Sequence, residues 1–256
     1  MYGHAPSVDE VVLKANRAPE EGSDPQSQSR QISFSKFMLR HEMRIIDGLD
    51  HPNICTVLDH IQEGDREYFV MPRYGTSTLA NVDTRDVQTV GCIAAQVSAA
   101  LTYMHAEGLV HRDVKPSNIV IAPSGKATLI DFETAFSIGA TPLELRGTRQ
   151  FMSPEHQKGQ CVSTSDDVYS LCATIYATVA KQGYASVETT KTSTAPTASQ
   201  VSKTPPPKYV IQPLRCLGDV AEVIFDGLNP DSKQRPTMAF ISQELASQFG
   251  LKWRCS

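Results

Sequence analysis

His111-Arg112-Asp113-Val114-Lys115-Pro116-Ser117-Asn118 runs directly into the apolar stretch Ile119-Val120-Ile121. Three functional types are spaced along this one short loop: a carboxylate at 113, an ammonium at 115 and an amide at 118. Together they can orient a hydroxyl, neutralise a transferring phosphoryl group and hold a metal ion. A lone Asp-x-Lys in a polar loop is ordinarily solvated surface. Here the motif is set between the apolar pairs Leu109-Val110 and Ile119-Val120, which argues against that reading.

The stretch resembles the catalytic loop of eukaryotic protein kinases, H-R-D-L-x-x-x-N, with Val114 in place of leucine. The resemblance implies an α+β, two-lobed protein-kinase-like fold. Residues 1–71 would form a small, mostly antiparallel β N-lobe with one helix, residues 72–75 a hinge, and residues 76–256 a larger helical C-lobe.

The bulk properties are compatible with this. At 256 residues the chain can bury a substantial core as one catalytic unit. A net charge of -4, with no long Lys/Arg block, gives no electrostatic case for a nucleic-acid partner. The stretches around Ile93 to Met104 and Val168 to Ala180 are interrupted by polar residues and read as too short to span a membrane. Cys55, Cys92, Cys161, Cys172, Cys216 and Cys255 show no C-x-x-C pair, so they read as reduced thiols. With no secretion signal in Met1 to Pro6, an intracellular protein, cytoplasmic or nuclear, is expected.

Taken in order, Val11-Val12-Leu13-Lys14-Ala15 reads as a strand carrying one lysine. Residues 17–33, with Pro19, Gly22 and Pro25, read as a loop. From Ser35 to about Asp47, Leu39, Met43 and Ile46 recur at helical spacing. The first run resembles the kinase V-A-I-K strand, and Glu42 in the helix, in register with the turn at His51-Pro52-Asn53, would be the partner of Lys14. Strands are expected near Cys55 to Leu58 and Glu67 to Met71, followed by the break Pro72-Arg73-Tyr74-Gly75. By resemblance Met71 is the gatekeeper of an adenine pocket, while Pro72 and Tyr74 present backbone groups to the base and Val12 and Val120 face it from either side.

Val90, Ile93, Val97, Leu101 and Met104 describe a long amphipathic helix ending near His105 to Gly108. A hairpin through Ala122 to Lys126 leads to Asp131-Phe132-Glu133, which resembles the kinase D-F-G with glutamate for glycine. Asn118 and Asp131 would then hold magnesium, a hard cation that takes oxygen ligands. Loss of the glycine puts easy switching between arrangements in doubt.

Gly147-Thr148-Arg149-Gln150-Phe151-Met152-Ser153-Pro154-Glu155 resembles the kinase G-T-x-x-Y-M-A-P-E segment. It implies that Thr148 orients Asp113 and Lys115, and that Glu155 pairs with Arg235. Asp167 would fix the catalytic-loop backbone, while Asp166 is also readable as plain helix N-terminal charge. Arg112 implies regulation by a phosphorylated residue, with Ser137 and Thr141 as candidates and Glu144 as a fixed carboxylate stand-in. Residues 185–208, rich in Ser, Thr and Pro, read as a disordered surface insertion.

Two departures bear on function. Only thirteen residues precede Lys14, so the glycine-rich hairpin that covers ATP in kinases has room for little more than Tyr2-Gly3. Either the sequence starts inside a longer gene product or the protein works without the hairpin. Val12 also replaces the usual alanine. The expected activity is transfer of the ATP γ-phosphoryl group, with Mg2+, to serine or threonine hydroxyls of protein substrates. The alternatives are a pseudokinase that only binds partners and, more weakly supported, a small-molecule kinase.

Overall fold

The computed structural model describes residues 10–81, 86–142, 144–180 and 212–250. The 185–208 insertion, the Tyr2-Gly3 remnant and Cys255 lie outside them. The first lobe is a three-stranded antiparallel sheet in the order β1-β3-β2, formed by β1 (Val11–Ala15), β2 (Asp59–Glu63) and β3 (Arg66–Pro72). Its register sets Lys14 opposite Phe69 and Val12 opposite Met71. One helix, α1 (Pro25–Asp47), buries Met38, Leu39, Glu42 and Ile46.

That helix starts ten residues earlier than its apolar spacing indicates. Asp24 is its N-cap, accepting bonds from the backbone nitrogens of Gln26 and Ser27 at 3.0 Å each, and Pro25 occupies the first turn. Asp-Pro is a helix-start signal, because proline has no N–H to waste there. The extra turns are polar and largely solvated, so they leave no apolar period to read. The second strand also differs from expectation: it is Asp59–Glu63, beyond Cys55 to Leu58. As a sheet edge with four of five residues exposed, it carries no alternation signal. Cys55 and Leu58 lie outside any strand, their backbone N–H groups bonded instead to the carbonyls of Leu129 (3.1 Å) and Val70 (2.7 Å).

The second lobe is built on α2 (Val87–Ala106), whose Val90, Ile93, Val97, Leu101 and Met104 are at most 2 % exposed. At 20 residues α2 reaches membrane-span length, more than the interrupted stretch suggested, but most of it is buried within the protein, packed against α4 (Thr164–Val179) and α6 (Met238–Phe249). Gly91 permits the contact with α6, since a Cβ there would lie 2.3 Å from the Phe249 ring. Two short sheets sit at the junction with the first lobe. One pairs β4 (Ser77–Thr78), β6 (Ile119–Ile121) and β7 (Ala127–Leu129), and the other pairs β5 (Leu109–Val110) with β8 (Phe136–Ser137). Short helices α3 (Pro154–Gln157) and α5 (Val220–Asp226) complete the lobe. The predicted two-lobed α+β arrangement is what the chain adopts. Among the described residues Cys55, Cys92, Cys161, Cys172 and Cys216 are in no disulfide.

Candidate active site

The loop after β5 is held from beneath by one carboxylate. Asp167, in the first turn of α4, is fully buried and accepts bonds from the backbone nitrogens of His111 (2.9 Å) and Arg112 (2.8 Å) and from the His105 ring (2.9 Å). Burial opposes its ionisation, but the His105 bond and the nearby charges outweigh that and hold its carboxyl below the usual range. The bonds also stabilise Arg112 at φ 68°, a conformation that non-glycine residues adopt at a cost. Asp166 does more than supply helix charge: it closes a capping box with Ser163 and accepts the Ser153 hydroxyl at 2.6 Å.

On this support, Asp113 projects with both oxygens engaged. Its Oδ1 accepts the Thr148 backbone N–H at 2.8 Å, and its Oδ2 accepts Lys115 Nζ at 2.6 Å and the Asn118 amide at 3.2 Å. Lys115 also donates to the Thr148 hydroxyl at 2.8 Å. Thr148 therefore touches both groups the sequence assigned to it. The segment containing it is anchored by Glu155, which forms two bonds to Arg235, one of them at 2.9 Å.

Across the cleft, Lys14 Nζ sits 2.7 Å from Glu42 Oε1 and 2.6 Å from Asp131 Oδ1. Burial works against the Lys14 charge, but the two carboxylates prevail and raise its pKa. The same lysine holds the Asp131 carboxyl low despite its burial. Glu42 lies deeper and shares the cation, so burial pushes it up. Glu42 also accepts the Phe132 backbone N–H at 3.0 Å, which ties the helix to the Asp131 turn. Asp131 has φ 68°, whereas Glu133 is not among the residues with positive φ. Glycine's freedom is thus not required at 133. Glu133 accepts Arg146 Nη1 at 2.6 Å and Arg17 Nη2 at 2.9 Å.

Lys14, Glu42, Met71, Asn118 and Asp131 surround one cavity of about 160 Å³ at the back of the cleft. Val12 and Pro72 lie in the β1–β3 ladder and Val120 in β6, and none of them lines that cavity. The Tyr74 hydroxyl accepts the Thr56 N–H at 2.7 Å. The donor set suits a hard cation: Asn118 commits its amide nitrogen to Asp113, leaving the amide oxygen, beside the carboxylate of Asp131. Among the described residues no group of three or more acidic, His or Cys side chains could hold a metal unaided. Further ligands would come from phosphates and water, as magnesium prefers.

Arg112 departs from expectation. Glu144 does not reach it and bonds Arg146 at 3.0 Å instead. Arg112 is 3 % exposed, donates to His156 Nε2 at 2.8 Å and lies 5.8 Å from the Phe136 ring. Arg112 Nε and His156 Nδ1 are buried with no hydrogen-bond partner. Burial, helped by the guanidinium, lowers His156 to about 4. In the unfolded chain the ring titrates near 6.5, so below that pH the unfolded state binds the additional proton. This contribution to stability is complete above pH 6.5 and drains as pH falls toward 4. Denaturant midpoints measured across that window should decline, and His156→Gln should flatten the decline.

Sequence reasoning missed the roles of His105, His156, Arg17 and Arg146. A histidine in the last turn of a core helix and an arginine just before Gly147 were the available signals, but only tertiary proximity gives them partners.

A family model described as Protein kinase domain matches residues 20–248. Serine/threonine-protein kinase PknA of Mycobacterium tuberculosis is 34 % identical over 174 residues, covering 63 % of this chain and 38 % of the relative. Serine/threonine-protein kinase 36 of Pongo abelii is 34 % identical over 145 residues, covering 54 % and 11 %. Serine/threonine-protein kinase PknB of Mycobacterium leprae is 33 % identical over 161 residues, covering 58 % and 26 %. The matched stretches thus span less than two fifths of each of these curated relatives.

Proposed function

Because this chain belongs to the protein kinase domain family, we propose that it acts as a serine/threonine protein kinase, transferring the γ-phosphoryl group of ATP to protein hydroxyls. The observation that carries the reading is the hydrogen-bonded set Asp113, Lys115 and Thr148 beside Asp131, which Lys14 and Glu42 meet from the other lobe. Asp113, fixed by the Thr148 amide, orients the incoming hydroxyl and takes its proton. Lys115, steered by the Thr148 hydroxyl, neutralises charge on the transferring group. Lys14, raised in pKa and oriented by Glu42, supplies a permanent cation to the nucleotide phosphates. Asn118 and Asp131 would hold magnesium, which when bound would offset phosphate charge. With little covalent chemistry for the protein to perform, positioning and electrostatics carry the rate.

Incubation with γ-labelled ATP, Mg2+ and a generic protein substrate tests the reading. Label recovered as phosphoserine or phosphothreonine supports it. Label found only on small molecules, or none, overturns it.

A further inference from the structure

Glu133 stands where the family pattern has a glycine, and nothing in the transfer scheme above uses it. Its carboxylate is nevertheless the meeting point of three segments. Oε1 accepts Arg146 Nη1 at 2.6 Å, and Oε2 accepts Arg17 Nη2 at 2.9 Å, so the glutamate joins the stretch after β1 to the stretch before Thr148. The Glu133 and Arg146 side chains are 18 % and 24 % exposed, whereas Arg17 is 76 % exposed. The first pair is therefore a shielded, charge-assisted bond, and the second is mostly screened by water. Arg146 is further confined by Glu144 Oε2 at 3.0 Å and by the Phe34 ring of α1 at 5.1 Å.

What Arg146 leads into gives the arrangement its consequence. The next residue, Gly147, has φ 120° and lies so close to the catalytic loop that a Cβ there would be 3.0 Å from the Arg112 carbonyl oxygen. The residue after that, Thr148, donates its backbone N–H to Asp113. Asp113, Lys115, Asp131, Glu133 and Arg146 all border one cavity of about 410 Å³. A glycine at 133 could hold neither arginine.

We propose that Glu133 is a positioning residue for phosphoryl transfer: by holding Arg146 it keeps the Thr148–Asp113 bond in register with Asp131. This rests on the kinase reading. The nucleotide-facing bonds of Lys14 to Glu42 and Asp131 do not pass through Glu133, so its influence falls on the hydroxyl side of the reaction.

The test is steady-state kinetics on the full chain with MgATP and a generic protein substrate, comparing wild type, Glu133→Gln, Arg146→Gln and the double variant. Misplacement of a catalytic group by a fraction of an ångström makes each single substitution lower kcat about tenfold. The KM for ATP should stay within about twofold of wild type, since uniform nucleotide binding is untouched. The double variant should be no slower than either single one, because the two residues act as one unit. Glu133→Asp, which keeps the charge, should recover part of the rate. Gln is isosteric, so the melting temperature of Glu133→Gln should hold while kcat falls.

Several results would overturn the proposal: unchanged kcat in both single variants, losses that multiply in the double variant, a loss confined to the KM for ATP, or a melting temperature that falls in step with kcat. An inactive wild type would instead defeat the kinase reading, and this role with it. An active wild type beside an equally active Glu133→Gln defeats the positioning role alone.

Discussion

Asp113→Asn is expected to reduce kcat for phosphoryl transfer by about 10³-fold, the range typical of removing a general base, while the protein stays folded. The substitution keeps an oxygen for the Thr148 N–H, so the loop retains the 2.8 Å bond that positions it. What it removes is the charge facing Lys115 at 2.6 Å and the capacity to accept a proton. Lys115 keeps its second partner, the Thr148 hydroxyl at 2.8 Å. The stability cost should be about 2 kcal/mol, because the amide NH2 replaces the oxygen that accepted both Lys115 and Asn118, while each donor keeps a second partner, the Thr148 hydroxyl and the Asp113 backbone carbonyl. Kinetics and a thermal melt on the same preparation separate the two effects. A variant as active as wild type would remove Asp113 from the chemistry.

Asp167→Asn should do the reverse and act first on the fold. Two backbone N–H groups and a histidine ring converge on this buried carboxylate. An amide can present only one acceptor oxygen, so an NH2 must face a donor, and a buried donor is left unpaired. The expected cost is about 3 kcal/mol, which for a chain of this size lowers the melting temperature by roughly 10 °C. Activity should fall as well, because Arg112 at φ 68° loses the bond that stabilises it next to Asp113. A melting temperature equal to that of wild type would show that the loop does not depend on α4.

Much of this site was legible because its chemistry is local in sequence. Asp113, Lys115 and Asn118 fall within six residues, and the types needed for phosphoryl transfer leave few substitutes. Lys14 and Glu42 were matched across 28 positions by the resemblance of their strand and helix to the kinase pattern, with the His51-Pro52-Asn53 turn setting the helix register. The parts that escaped obey other physics. Pro25 reads as a loop residue unless Asp24 is seen as its cap, and the solvated first turns of α1 carry no apolar period. The edge strand Asp59–Glu63 is polar because it faces water. Glu133 looks like a defect in a motif until Arg17 and Arg146 are brought to it, and their separations of 116 and 13 positions give no sequence signal. Arg112 was expected to meet an anion, and a neutral histidine occupies it instead.

In the proposed function Asn118 and Asp131 converge on one cation beneath a nucleotide held by Lys14. Calorimetric titration of ATP with and without Mg2+, on wild type and on Asp131→Asn, tests it most directly. Mg2+ should tighten ATP binding to wild type by about tenfold or more, and Asp131→Asn should abolish this dependence, since the carboxylate is half of the protein's share of the ligands. ATP binding that is indifferent to Mg2+ in wild type, or equally Mg2+-dependent in the variant, would contradict it.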